Sequence, residues 1–277
     1  MMKGKTFMKR IILAVAAIAV LLTLGGCEKM IGRYVGIRGK HLNSYSYSSG
    51  GGMNGGYHRE TVKKYQDQAL ITIESADWFA QDPTVAEYLT DTAVLEELEA
   101  VVRKYRMNFW NGKEFSKMFV CDGESESYCF YFDDDDIYFS SQIYPMRYRK
   151  KLADLDNVVR KYIDTAEKLP GLVGTRTDEE ENFLLPEGKL DIYVYSYAED
   201  VLGVKILNGT DEPVELPGSY QLIFTDTDTV VFEENDENVR EVSGQSRDEI
   251  DISLKERLQA GHYKIVFGDM EIPFEIR

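Results

Sequence analysis

Polar residues alternate with apolar or aromatic ones, at a period of two, through most of this chain, and this alternation constrains the fold more than any other feature. Tyrosine is the commonest aromatic, with 18 copies, and recurs in runs such as 44–47 and 193–197. Successive side chains of a β-strand point to opposite faces, so this period is typical of strands with one buried face. The chain is therefore predicted to consist largely of half-buried strands.

The chain is longer than a typical single domain, so we predict that it folds into two domains. The stretch 170–186 has no periodicity and many acidic residues, and we predict that it is a linker. The first domain is then expected at 43–169 and the second at 187–277.

The first domain is predicted to have an α+β fold. Predicted strands cover 43–48, 57–64, 69–74, 115–121, 128–132 and 137–144, and predicted helices cover about 91–107 and 148–167. Both helices contain the sequence VVRKY, at 101–105 and 158–162. The pattern predicts a βββα unit used twice, the second as a three-stranded meander, with both helices on one face of an antiparallel sheet. Chance recurrence is the alternative, because Arg and Lys suit the carboxyl end of any helix.

Two cysteines of this domain are predicted to form a disulfide bond. Cys121 and Cys129 are equidistant from Ser125, the middle of a predicted hairpin turn, and would face each other across its strands. In an oxidising compartment such a pair is expected to join and to staple the hairpin. A zinc site is disfavoured because it needs four ligands.

Part of the first domain resembles uncharacterised lipoproteins of Gram-positive bacteria. The resemblance rests on the stretches 110–112 (WNG), 121–123 (CDG), the acidic turn 133–136 and 143–145 (IYP). It implies no activity.

The second domain is predicted to be an all-β immunoglobulin-like sandwich, since seven strands in so short a stretch match that fold. The predicted strands are 190–197, 203–208, 219–226, 229–233, 249–254, 262–267 and 271–276. The stretches 204–212, 258–264 and 274–276 resemble bacterial Ig-like domains, and Tyr263 is the candidate for a tyrosine corner. The resemblance implies a surface role and names no ligand.

The first 27 residues are predicted to direct export. Four cations and no acid precede an apolar run at 11–24 that is short for a membrane span, and Gly25 and Gly26 precede Cys27. This ending resembles the lipobox of bacterial lipoproteins. The resemblance implies that Cys27 is acylated, that 1–26 is a removed signal peptide and that 27–42 is a tether. An ordinary signal peptide and an uncleaved anchor are the alternatives, and all three place the protein outside the cytoplasm.

The net charge of −16 makes nucleic acid an improbable partner, because phosphates require a basic surface that the sequence lacks. The basic tether is expected to lie near an anionic lipid surface, whereas the acidic body is repelled from it.

No motif of catalysis or cofactor binding stands out. The stretch 50–55 matches G-x-G-x-x-G, but a strand rather than a helix is predicted after it, so we expect a glycine-rich hairpin loop. The weak calcium candidates Asp133, Asp134, Asp135 and Asp136 lack EF-hand spacing, and a solvated turn is favoured. The three histidines, at 41, 58 and 262, form no metal or catalytic motif.

These observations predict a membrane-anchored lipoprotein that binds or presents something at the cell envelope, without catalysis and without a cofactor. The alternatives are a sensor or accessory subunit that docks on an envelope protein through the Ig-like domain, and a hydrolase of the envelope. An exposed aromatic patch on the second domain would favour docking. A deep pocket lined by acids and His58 would favour ligand capture or chemistry.

Overall fold

A computed structural model of the chain describes residues 33–51, 55–78, 81–115, 124–142, 146–173 and 185–277. Within these ranges the protein is mostly β-structure, with two α-helices and four sheets.

The first sheet has eight strands in the order β5-β7-β6-β1-β2-β3-β4-β8. All neighbouring strands are antiparallel except β5 and β7, which are parallel. Its strands are β1 (Leu42–Gly51), β2 (Gly55–Tyr65), β3 (Gln68–Trp78), β4 (Thr84–Thr90), β5 (Lys113–Phe115), β6 (Glu124–Phe132), β7 (Asp135–Ser141) and β8 (Glu167–Lys168).

Two helices, α1 (Ala93–Lys104) and α2 (Met146–Ile163), pack against one face of this sheet. The Asp91 carboxylate accepts a hydrogen bond of 2.7 Å from the backbone N–H of Ala93, which satisfies a donor at the start of α1. Burial of one apolar face of each helix against the sheet builds the first core. The buried residues of the two helices are Val94, Leu95, Leu98, Val101, Val102, Leu152, Leu155 and Val159.

Residues 172–173 and 185–277 form three further sheets. The order is β10-β11-β16 in one, β14-β13-β17-β18-β9 in another, and β12 and β15 form a pair. The three-stranded and five-stranded sheets share a second core that includes Val204, Ile252 and Ile265. Their strands are β9 (Leu172–Val173), β10 (Leu190–Ala198), β11 (Val201–Asn208), β12 (Val214–Pro217), β13 (Tyr220–Phe224), β14 (Thr229–Glu234), β15 (Val239–Val242), β16 (Ser246–Ser253), β17 (Gly261–Phe267) and β18 (Met270–Ile276).

The chain passes from the first sheet to the others between β8 and β9. Strand β8 pairs with β4, and β9 pairs with β18. The backbone groups of Gly171 and Arg277 exchange two hydrogen bonds, of 2.8 and 3.0 Å. The predicted linker is therefore wrong at its start, since 172–173 belongs to a sheet, while 174–184 lies outside the described residues.

The structure confirms strands at 43–48, 57–64, 69–74 and 128–132 and all seven predicted strands of the second half. It also confirms both helices, although α2 ends four residues before the predicted 167. Strands β4, β8, β9, β12 and β15 were not predicted, and β5 overlaps the predicted strand 115–121 only at Phe115. The G-x-G-x-x-G stretch joins the antiparallel strands β1 and β2, as expected of a hairpin loop, and 52–54 lies outside the described residues.

The predicted three-stranded meander is wrong at its first strand, whereas the predicted strand 137–144 corresponds to β7, which pairs with β6 as expected. Strand β6 pairs with β1 on one side and with β7 on the other, so neither of its edges is left for a strand from 115–121. The predicted βββα repeat is also wrong for the first half, where β4 adds a fourth strand before α1. The two halves consequently differ in connectivity.

The predicted tether is wrong from Arg33 onward, because the chain already packs against the first sheet and its helices there. Backbone hydrogen bonds join Arg33 to Asn111 (2.6 Å) and Val35 to Asn108 (2.9 Å). The side chain of Ile37 is buried in the first core. Residues 33–42 are thus part of the folded body.

Candidate functional site

A cleft of about 450 Å³ lies between the first sheet and α2. Its floor is a row of side chains on three adjacent strands. Tyr47 of β1 lies directly opposite Glu60 of β2 on one side and Tyr128 of β6 on the other. Cross-strand partners share a face of the sheet, so the three side chains meet on the side that α2 covers.

The character of this sheet face changes from one row to the next. The neighbouring row, which contains Val62, Tyr45 and Phe130, is buried. On the other side of the Tyr47 row lie His58 and Glu126, both opposite Ser49. The cleft thus opens where the sheet changes from apolar to polar side chains.

Helix α2 supplies the facing wall. Each wall residue lies three or four positions from another wall residue, and this spacing places all of them on one face of the helix. Arg160 is bound to Asp156 one turn earlier, at 3.0 Å. The helix residues that line the cleft are Arg149, Leu152, Ala153, Asp156 and Arg160.

Glu60 is the most unusual group of the cleft. It is only 6% exposed, yet within the described part of the chain its carboxyl group has neither a hydrogen bond nor a salt bridge. Burial raises the pKa of Glu60 from 4.5 to about 7; the carboxylate of Asp156 adds to this rise, and the guanidinium of Arg160 opposes it. Glu60 is therefore partly protonated at neutral pH.

Tyrosine side chains lie beside Glu60 on the floor of the cleft. The rings of Tyr47 and Tyr128 have centroids 4.9 Å apart, and the His58 ring is 6.1 Å from that of Tyr47. Burial raises the pKa of Tyr45 well above its usual value of 10, and the charge of Glu60 adds to the rise. Burial also raises the pKa of Tyr47, so Tyr45 and Tyr47 remain neutral near neutral pH.

The rim carries charges of both signs. Burial raises the pKa of Glu126, and the exposed Arg149 guanidinium opposes this effect. A single buried carboxyl group with a pKa near neutrality can accept a proton, but catalysis needs partner groups in fixed geometry as well. The arrangement suits a small ligand with an apolar part and a polar or charged part.

A lysine side chain contacts the acidic turn that contains the weak calcium candidates. The ammonium group of Lys40 forms salt bridges with both Asp134 and Asp135. Asp133 accepts hydrogen bonds from the backbone N–H of His41 (3.2 Å) and from the Asn43 amide (3.3 Å). Among the described residues no group of three or more His, Cys, Asp or Glu side chains could hold a metal ion. The interpretation as a turn that needs no cation is thus favoured.

The geometry assumed for the disulfide bond is wrong, because Ser125 lies within β6 and pairs with Gly50 instead of forming a turn. Cys129 lies opposite Ser46 and Tyr138, and burial raises the pKa of its thiol. Cys121 lies outside the described residues, so its pairing with Cys129 stays a prediction.

Tyr263 lies near the start of β17 and is buried. Its hydroxyl group donates a hydrogen bond of 3.0 Å to the backbone carbonyl of Gln259, four residues upstream. A tyrosine corner has this kind of contact.

The lipidation candidate Cys27 and the leader lie outside the described residues. In the ranges that the structure covers, neither helix has the length and apolar character needed to cross a membrane.

Comparison with protein-family models gives no match, and comparison with curated proteins gives none either. Function therefore has to be inferred from the residues of the chain and from the cleft.

Sequence reasoning named His58 as a residue that a ligand pocket would use, and the structure places it in the cleft. It missed Glu60 and the wall residues of α2. One signal was available: Glu60 shares the inward face of β2 with Val62, and a charged residue at an inward position is unusual. The sequence could not show which helix covers Glu60, because this depends on the order of the strands in the sheet.

Proposed function

We propose that this protein is an extracytoplasmic lipoprotein, held at the cell membrane by a lipid on Cys27, that binds a small ligand in the cleft without catalysis. The observation that carries the binding role is Glu60, a residue that is buried as a whole and whose carboxyl group, unpaired among the described residues, faces the cleft. Burying an ionisable group without a partner is unfavourable. Groups with strongly shifted pKa values are frequent at functional sites.

The proposed anchor rests on the leader sequence alone. If Cys27 carries the lipid, it lies only six positions before Arg33, which already pairs with Asn111 of the folded body. A fully extended chain of that length spans about 20 Å. The body, including the cleft, would therefore be held close to the bilayer.

We further propose that 43–169 is an α+β domain and that 187–277 is an Ig-like sandwich. The strand orders β10-β11-β16 and β14-β13-β17-β18 support the second assignment, because they match the two sheets of Ig folds. The hydrogen bond from Tyr263 to Gln259 also supports it.

Docking on an envelope protein, as a sensor or accessory subunit, is the second candidate function. It is supported by Val230 and Val231 on β14, an edge strand, which are 47% and 46% exposed. An open strand edge can pair with a strand of another protein. The large hydrophobic side chains that are exposed in 185–277 are valines, however, and none of those exposed in this described stretch is aromatic, so the aromatic patch that would favour docking is not found there.

Ligand capture can be tested with the full-length lipidated protein in detergent. The protein is incubated with a small-molecule extract of the producing cells, and native mass spectrometry records what stays bound. Ala153→Trp, which places a large ring in the cleft wall, should abolish capture. Ala100→Trp, at an exposed position of α1, is the matched control and should leave capture unchanged. Equal capture by all three proteins would overturn the proposed site.

The anchor can be tested by metabolic labelling with a palmitate analogue. The wild type should carry the label and sediment with membranes, whereas Cys27→Ser should do neither. Labelling that persists in Cys27→Ser would contradict the proposed lipidation site.

A further inference from the structure

We propose that the cleft binds a small organic cation, an amine whose ammonium group pairs with Glu60 and lies against the tyrosine rings. This inference rests on the proposed binding function and specifies its ligand class.

The first argument is the missing counterion of Glu60. A buried carboxylate is stable only if it is paired and hydrogen-bonded. The guanidinium of the nearby Arg160 binds Asp156, at 3.0 Å, and is exposed on the helix. A ligand ammonium group would supply the charge that the described residues do not supply to Glu60.

The second argument is the aromatic floor. Glu60 lies opposite Tyr47, whose ring is 4.9 Å from that of Tyr128. A cation that reaches Glu60 therefore comes close to the faces or edges of two tyrosine rings. Attraction between a cation and an aromatic face strengthens when water is excluded.

The third argument is charge. An anionic ligand would have to approach the carboxyl groups of Glu60 and Glu126 on the floor, while both arginines of the wall are exposed. The whole chain carries a net charge of −16, and the field of an acidic protein raises the local concentration of cations. A cleft of about 450 Å³ has room for a small amine.

The test uses three probes of similar shape and different charge: phenethylammonium, 2-phenylethanol and 3-phenylpropanoate. Isothermal titration calorimetry of the full-length protein should show the tightest binding for the ammonium probe. Cadaverine and tetramethylammonium extend the cation series.

Glu60→Gln removes the charge and keeps the shape of the side chain. It should weaken ammonium binding by about thirtyfold or more, as expected for loss of one partner of a buried ion pair. The exposed Glu237→Gln is the control and should bind as the wild type does. Tyr47→Leu should weaken ammonium binding by about three- to thirtyfold and affect 2-phenylethanol less.

Three results would overturn the cation proposal: no binding of any cation in the series, equal affinity for the neutral or anionic probe, or unchanged affinity in Glu60→Gln. In each case, capture of another compound that Ala153→Trp abolishes would leave the binding function intact. Absence of such capture as well would overturn both proposals.

Discussion

Arg257 and Glu87 form a partly buried salt bridge between the two halves of the protein, with side chains that are 14% and 4% exposed. Arg257 comes from the segment between β16 and β17, and Glu87 from β4. The Arg257 guanidinium also binds Asp200, at 3.3 Å. Glu87 accepts further hydrogen bonds from the Thr72 hydroxyl (3.2 Å) and the backbone N–H of Glu199 (2.9 Å). This cluster fixes the second half of the chain to the outer edge of the first sheet.

Replacing one partner of this pair should strongly destabilise the protein. We expect Arg257→Met to lower the free energy of unfolding by about 3 kcal/mol or more, because Glu87 is left buried without its cation. Urea denaturation of the full-length protein measures the change. Arg59→Met, which removes the more exposed pair of Arg59 with Glu74, should lower it by less than about 1 kcal/mol.

Replacing both Glu87 and Arg257 should lower the free energy of unfolding by less than replacing Arg257 alone. In Glu87→Leu/Arg257→Met no buried charge of the pair remains unpaired, so the double variant should be more stable than Arg257→Met alone. If the loss of unfolding free energy in the double variant equals the sum of the losses in Arg257→Met and Glu87→Leu, the two side chains do not interact.

The buried Glu60 should make stability depend on pH in an unusual direction. Its folded-state pKa of about 7 lies above the ordinary 4.5, so the unfolded chain releases the proton first as pH rises. Below pH 4.5 both states are protonated and the group has no effect. Above pH 7 the charged form destabilises the folded state by up to about 3 kcal/mol.

Glu60→Gln should therefore match the wild type in stability near pH 4 and exceed it at pH 8, in denaturation curves recorded without ligand. Glu237→Gln should show no such pH-dependent difference. A wild type that is as stable as Glu60→Gln at pH 8 would mean that the carboxylate has a partner in solution.

The hydrogen bond from Tyr263 to Gln259 should contribute measurably to stability. Tyr263→Phe removes the hydroxyl and leaves a backbone carbonyl without its donor, which should cost about 1 kcal/mol. Tyr138→Phe, at a side chain that is 46% exposed, should be close to neutral and serves as the control. Thermal unfolding of the three proteins distinguishes these outcomes.

Calcium should leave the stability of the wild type unchanged. The ammonium group of Lys40 already pairs with Asp134 and Asp135 and offsets one of their two charges, and hydrogen bonding by Lys40 lowers the pKa of Asp134. Calcium chloride should consequently shift the Tm no more than sodium chloride of equal ionic strength. A larger increase in Tm with calcium chloride than with sodium chloride would show that the protein binds calcium and would support a calcium site at this turn.

Period-two alternation located most strands, and the apolar stripes at helical spacing located both helices, because these patterns reflect which face of each local element is buried. The sequence also indicated that the glycine-rich stretch is a hairpin loop, since strand patterns flank it on both sides.

The order of the strands in the first sheet could not be predicted from the sequence. The meander failed because β6 pairs with β1 at the edge where a strand from 115–121 was expected, and pairing between distant strands is not encoded in local periodicity. Strand β4 was missed because 84–90 is short and mixed in character.

The sequence by itself determined the β-rich character and the two helices, because each depends on local composition and spacing. Only the tertiary structure brought Glu60, Tyr47 and α2 together, and only it placed Arg257 against Glu87, 170 residues away in the chain. Such contacts depend on the register and order of strands that are distant in sequence, so residues with ordinary local surroundings acquire a common site only when the sheet assembles.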